Sequence, residues 1–421
     1  MNIKKYIIFL SIIGILQLLQ NCKVREISPV PSIPIDTVAM DTVWRSEIND
    51  YSITPMLNSQ GDVIASKMFS DPKGEVFQLY DGVTGKLKWE WQNYFTVEHG
   101  FNGSDHFLYK DVLVLSGRNT TYSIDAISGK TIWRDYQDTL FGDNFLAGDD
   151  DGFIYHSFRP FKDGNRLVYI WRTRYDELNW EPVCEFEEPI ELERIRTSNM
   201  IVAKNNLGEK VLVYTLHIFR QVAGARKEFS KVIAYNLNAK KVIWQIDNST
   251  QDINLTFWKT NMLYKDNKIF IFGVIGQQYA LLAYNLTNGE LLWSKSIPDF
   301  GVGLYLYKDM IIPLINRTKR VEALNINTGN AKWVQTFENE IKYDVNFGFD
   351  DSKVYKNFLI STICNNLLSL DLENGKVVYY DRPKVMDDCL QFGMAINEEK
   401  RWFYIQDRRY INCYTLPFQI K

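Results

Sequence analysis

Short apolar runs, broken by turn residues, follow one another along nearly the whole chain. The segment Ala283-Tyr284-Asn285-Leu286-Thr287-Asn288-Gly289-Glu290-Leu291-Leu292-Trp293 shows the unit: a strand, a tight turn, and a second strand ending on tryptophan. Glycine suits the turn because it tolerates the left-handed backbone that a short hairpin needs. Related segments end at Trp89, Trp133, Trp180, Trp244, Trp333 and Tyr379. Most carry Asp or Asn eight places before the aromatic, and Gly four places before it. The copy at Arg172 to Trp180 is degenerate, with Asp176 at the glycine position, and Lys240 takes that position in the copy ending at Trp244. Upstream of each copy lies another turn and apolar strand, as in Asp149-Asp150-Asp151-Gly152-Phe153-Ile154-Tyr155 and Lys265-Asp266-Asn267-Lys268-Ile269-Phe270-Ile271. Each period therefore holds four short strands, and a period of roughly 48 residues falls in the range of propeller blades.

Trp44 continues the series without a motif before it. It is expected to be the outer strand of a blade whose other three strands come from Leu390–Asn397, Arg401–Gln406 and Tyr410–Leu416. Pairing the two ends closes the ring and removes exposed sheet edges. The expected fold is thus all-β: an eight-bladed β-propeller of four-stranded blades spanning residues 36–421. Seven blades is the alternative if the Arg172 to Trp180 copy is not a blade.

Composition adds little that competes with this reading. Aromatic residues make up 14% of the 421-residue chain, which favours β structure. The net charge of −3 supplies no basic footprint for nucleic acid. The start of the chain reads as an address. Lys4 and Lys5 precede the apolar run Tyr6 to Leu16, which is too short to span a bilayer, and Leu19-Gln20-Asn21-Cys22 follows. This resembles a bacterial lipoprotein signal: residues 1–21 would be removed, Cys22 acylated, and residues 22–35, with Pro29, Pro31 and Pro34, would form a tether.

As a set, the spacing of Asp or Asn, turn Gly and Trp resembles the pyrroloquinoline-quinone-type (PQQ-like) propeller repeat. The resemblance implies that the tryptophans dock between neighbouring blades, with Tyr379 substituting in one of them. Quinone-dependent dehydrogenases share such blades, but many add a disulfide between adjacent cysteines beside the cofactor. Here Cys184, Cys364, Cys389 and Cys413 are all apart, and no position carries over the quinone or calcium ligands. No catalytic, metal or cofactor residues are therefore assigned. His99, His106, His156 and His217 lack metalloprotease spacing, no Gly-x-Ser-x-Gly elbow is present, and Asp149 to Gly152 is expected to be a solvated turn. Cys389 and Cys413 could pair within the closing blade, or remain buried thiols.

Two places could carry recognition. The fourth repeat is long, with an acidic connector at Glu185 to Glu193 and a loop around His217, Arg220, Arg226 and Lys227. An aromatic cluster of Trp91, Tyr94, Phe95, His99 and Phe101 could line the axial mouth. The anchor and repeat together resemble the propeller lipoprotein of the outer-membrane barrel-assembly machinery. That implies a non-enzymatic scaffold at the bacterial envelope, exported and held by its lipid, with envelope proteins as partners. A propeller that binds glycan or another envelope polymer is the first alternative, and a degenerate quinone-dependent oxidoreductase the second.

Overall fold

The computed structural model describes residues 41–416, apart from 49–54, 71–72, 92–94, 97–104, 118, 138, 161–166, 188–193, 223–224, 248–252, 256–261, 316–317, 319, 338–346, 364–365, 382–391 and 407–408. The signal segment, Cys22 and the tether lie outside the described residues.

Eight antiparallel sheets form a ring. Blades 1 to 7 follow chain order at residues 56–96, 105–136, 140–187, 194–247, 253–296, 301–336 and 347–381. Blade 8 combines the strands Phe392–Asn397, Trp402–Gln406 and Tyr410–Thr415 with Thr42–Glu47 as its outer strand. Both the blade count and the two-ended closure match the reading of the sequence, and the seven-bladed alternative is excluded. First strands pack against one another at the junctions of blades 2 and 3, 3 and 4, 6 and 7, 7 and 8, and 8 and 1, and shared core clusters join blades 1 to 2, 4 to 5 and 5 to 6, so the ring is continuous.

Burial follows position within the blade. Second strands such as Met310–Ile315 are buried along their whole length, because neighbouring blades cover both faces. Outer strands such as Leu291–Ser296 and Ala331–Thr336 alternate between exposed and half-buried positions, because one face meets solvent. The hydrophobic core is correspondingly divided. Each of its clusters draws residues from two adjacent blades, for example Val211, Val232 and Trp244 of blade 4 with Ile269, Leu282 and Tyr284 of blade 5. Stability therefore resides in blade-to-blade junctions, as expected of a repeat architecture.

The tryptophans occupy those junctions. Six indole N–H groups donate to a backbone carbonyl of the next blade: Trp44 to Gly82, Trp89 to Ile127, Trp133 to Tyr175, Trp244 to Leu286, Trp293 to Ile326 and Trp333 to Leu372, at 2.7–3.0 Å. The accepting turn is held by its first residue; Asp81 Oδ1, for instance, accepts from the backbone N–H of Val83 and Thr84. The ring lies over the turn glycine. A Cβ at Gly85, Gly129, Gly289, Gly329 or Gly375 would sit only 2.4–2.8 Å from an atom of the indole.

Blade 3 departs from this scheme, and one expectation is corrected there. In every other blade the docking aromatic follows a bulge in the outer strand, as where Leu324 pairs with Ala331 and Ala323 with Trp333. In blade 3 the same bulge places Pro182 opposite Trp171 and Cys184 opposite Ile170. The structural counterpart of the docking aromatic is therefore Cys184, not Trp180. Trp180 precedes the strand and turns to the preceding blade, where its N–H donates to Asp135 Oδ2 at 2.8 Å and its ring meets Trp133 edge-on.

Candidate functional site

Blade 4 is the outlier in size. Its first three strands, Arg194–Lys204, Lys210–Val222 and Ala225–Asn236, contain 11, 13 and 12 residues, whereas the second strand of every other blade has 8 or fewer. The extra length is β-ladder. Arg220 pairs with Lys227, Gln221 with Arg226 and Val222 with Ala225, so only residues 223–224 connect the strands. The expected loop around these residues is thus an extended hairpin, because Ile218, Phe219, Phe229 and their neighbours alternate in a way that continues the sheet.

The four candidate residues do not share one environment. His217 is buried within the second strand, its Nδ1 2.7 Å from Glu228 Oε1 of the third. It is therefore a core residue that ties the two strands, not a surface contact. Arg220 lies beyond the last pairing of the first strand, Arg194 with Phe219, and its guanidinium sits 5.2 Å from the centre of the Phe229 ring. Lys227 is exposed across the ladder from it. The Arg226 backbone belongs to the same strand, and its side chain is outside the described residues. The hairpin therefore presents basic residues beyond the body of the sheet. Glu185 and Glu187, near the end of the outer strand of blade 3, are exposed with Phe186 half-buried between them, and the rest of the acidic connector, 188–193, lies outside the described residues.

The other sequence candidates resolve differently. Trp91 is fully buried, donates to Thr131 Oγ1 at 3.1 Å, and packs edge-on against Tyr122 and Phe77. It belongs to the junction of blades 1 and 2 and not to the axial mouth; the side chains of Tyr94, Phe95, His99 and Phe101 are outside the described residues. Asp149 is likewise no solvated turn residue. It is buried; its Oδ1 accepts from the Asp151 and Phe153 N–H groups, and its Oδ2 accepts from Tyr155 and Lys210. Cys184 and Cys413 are free thiols, and burial pushes both up to about 12. Cys413 is thus not paired in the closing blade, and Cys389 lies outside the described residues.

A feature that sequence reading missed lies at the opposite end of blade 4. Between blades 3 and 4 is a cleft of ≈ 410 Å³ whose lining includes Asp149, Asp151, Arg172, Lys204, Lys210 and Asn238. Lys210 Nζ bridges Asp149, at 2.9 Å, and Asp151. Burial works against the Lys210 ammonium, but its bonds to Asp151 and Asp149 prevail and raise its pKa. The Lys210 contact in turn lowers that of Asp151. Burial, reinforced by Asp149, pushes the Tyr155 phenol well above its ordinary value.

Residues 228–381, from the third strand of blade 4 to the end of blade 7, match the family model of the outer membrane protein assembly factor BamB. BamB from Moraxella catarrhalis superposes with a TM-score of 0.53 at 11% identity, covering 91% of this chain and 99% of that one. The chain is a PQQ-like β-propeller resembling BamB. A europium-containing methanol dehydrogenase has the same kind of ring, with a TM-score of 0.59 at 8% identity over 87% of this chain and 84% of its own. At such identities the likeness is one of fold. Two curated relatives also match in part. A probable DNA helicase II homolog of Mycoplasma capricolum is 26% identical over 219 residues, 50% of this chain and 27% of that protein. An uncharacterized protein of Rickettsia conorii is 22% identical over 241 residues, 54% of this chain and 51% of that protein. The matches thus span about a quarter and about half of these two relatives, and the helicase activity is not carried over to this BamB-like propeller.

Proposed function

We propose that this chain is a non-enzymatic protein-interaction scaffold, anchored through lipid on Cys22 to the bacterial outer membrane and working on envelope proteins. The observation that carries the reading is the blade 4 hairpin. A 13-residue strand paired with a 12-residue strand extends one side of a BamB-like ring and carries Arg220, Arg226 and Lys227. An ordered hairpin loses little conformational freedom on binding, which favours recognition of a protein surface over a mobile loop of the same composition. Basic residues at its end suit an acidic partner and would speed encounter more than they deepen affinity. The non-catalytic part of the reading rests on the sequence, where no quinone or calcium ligand set carries over.

The test is a crosslinked pull-down of the tagged, membrane-anchored protein from its native host, with the Arg220→Ser/Arg226→Ser/Lys227→Ser variant alongside. Recovery of outer-membrane assembly or transport components by the native protein, reduced in the variant, supports the scaffold. Equal recovery by both would remove the hairpin from the interface. Replacing Cys22 by Ala and following fractionation tests the anchor, since a protein that stays in the membrane fraction would refute lipidation at that residue.

A further inference from the structure

We infer that the cleft between blades 3 and 4 binds a small sugar acid, a ligand that carries both a carboxylate and several hydroxyls. The inference goes beyond the scaffold reading and concerns the opposite face of the ring. The cleft gathers first-to-second and third-to-fourth strand turns, whereas the hairpin joins second and third strands.

The origin of the space is visible in the register. At six junctions an indole covers the third-to-fourth strand turn of the next blade. Blade 3 presents the Cys184 thiol at that position, and its Sγ reaches Tyr214 Oη at 3.9 Å. The receiving turn of blade 4 is otherwise built like the rest: Asn236 Oδ1 accepts from the Asn238 and Ala239 N–H groups. Leu237 and Asn238, which correspond to the residues that accept an indole elsewhere, line the open cleft instead. An indole from another molecule does not fit in the same pose. Lys240 stands at the glycine position with φ +51°, so its Cβ lies where the ring would stack.

The lining specifies a different occupant. Asp149, Tyr155 and Lys210 form a closed hydrogen-bonded floor that need not rearrange to receive a ligand. Above it, the Arg172 guanidinium is held by Glu181 Oε2 at 2.9 Å and lies 4.4 Å from the centre of the Phe153 ring. Lys204 adds an exposed ammonium at the rim. With Arg172 already paired to Glu181, the Lys204 ammonium is the cation left to match one carboxylate on the ligand. The Asp151 carboxylate and the Asn238 amide supply acceptors for hydroxyl protons, which a simple aliphatic acid lacks. A neutral sugar would satisfy those acceptors but bring no charge to meet the Lys204 ammonium. The volume of ≈ 410 Å³ lies within the usual range for small-ligand sites, about 300–1,000 Å³.

The test uses the full chain in detergent, titrated calorimetrically with glucuronate, a galacturonate oligomer, glucose and acetate. Lys204→Glu and Asn238→Ala are the variants, both at exposed positions where folding should persist. The expected result is saturable binding of the uronates, at least about tenfold weaker binding of glucose and of acetate, and a loss of about tenfold or more in Lys204→Glu. The Arg220→Ser/Arg226→Ser/Lys227→Ser variant should bind uronate normally, which keeps this outcome separate from that of the scaffold test. Absence of saturable uronate binding, equal binding of acetate, or uronate affinity unchanged in Lys204→Glu would each overturn the assignment.

Discussion

Replacing Gly289 by Ala should be among the most damaging single-atom-group additions in this chain, and the reason lies in the adjacent blade. Gly289 has φ +74°, where a side chain costs about 1–2 kcal/mol by crowding its own backbone. An added Cβ would also lie 2.8 Å from Trp244 Cδ2 and 2.9 Å from Cε3, well inside contact distance. The indole must shift, which strains its 2.7 Å bond to the Leu286 carbonyl; leaving such a buried group unsatisfied costs about 1–3 kcal/mol. The two effects together predict a loss of about 2–4 kcal/mol. Lys240→Gly is the control, because it occupies the same turn position at φ +51° but faces a blade that offers Cys184 in place of an indole. Relief of backbone strain there is offset by the added freedom of glycine in the unfolded chain, so the change should stay within about 1 kcal/mol. Equilibrium urea unfolding followed by tryptophan fluorescence reads both. A third variant, Gly289→Ala/Trp244→Leu, should recover part of the loss as a coupling of about 1–2 kcal/mol. If Gly289→Ala costs no more than backbone crowding of about 1–2 kcal/mol, or if its cost is unchanged in the Trp244→Leu background, then backbone conformation alone explains the glycine and the docking argument fails.

Three further outcomes follow from the geometry. The Asp81 carboxyl is held below its ordinary value of 3.8, chiefly by the Thr84 backbone N–H, and Asp309 is lowered by Lys332 and Asp176 by Arg174. A depressed folded-state pKa means that the stabilisation is complete above the unfolded value and lost as pH falls through the folded one. The urea midpoint should accordingly hold near pH 5 and decline below pH 4, less steeply in Asp81→Asn; a flat profile down to pH 3 would contradict the turn-capping role. Burial that raises the Cys184 and Cys413 thiols to about 12 should leave both unmodified by iodoacetamide at pH 8 in the native protein and modified in urea, as read by peptide mass spectrometry. Trp91→Phe keeps an aromatic ring but loses the pyrrole half of a buried indole and its N–H donor to Thr131 Oγ1, and should cost about 2–3 kcal/mol without altering any ligand response; a change in binding would return Trp91 to the list of recognition residues.

How much of this was legible in the chain depends on which residues must answer to a neighbour. Trp44 is assignable to blade 8 from the sequence alone, because a ring of four-stranded blades leaves its outer strand lacking three partners and the C-terminal strands are the three left over. The hairpin of blade 4 was harder. Its charged residues suggested a loop, yet ladder hydrogen bonds accept any residue that keeps alternation, so Arg220 and Lys227 pair as strand residues. Trp180 misled for a sharper reason. It stands at the spacing of the repeat, but register within a sheet is set by pairing with the adjacent strand, and the pairing of Ile170 with Cys184 places the docking position four residues later. A signal was nevertheless present. At five junctions a glycine in one copy faces the tryptophan of the copy before it, so Lys240 in the glycine position implied that the preceding copy had no ring to receive. The two irregularities, a degenerate copy in blade 3 and a missing glycine in blade 4, are one event seen from its two sides. The two are linked because an indole against the Lys240 Cβ would clash, so the glycine could be lost once the preceding blade offered a thiol in place of a ring. Made together, they remove the dock that seals the other motif-bearing junctions and leave the charged cleft in its place.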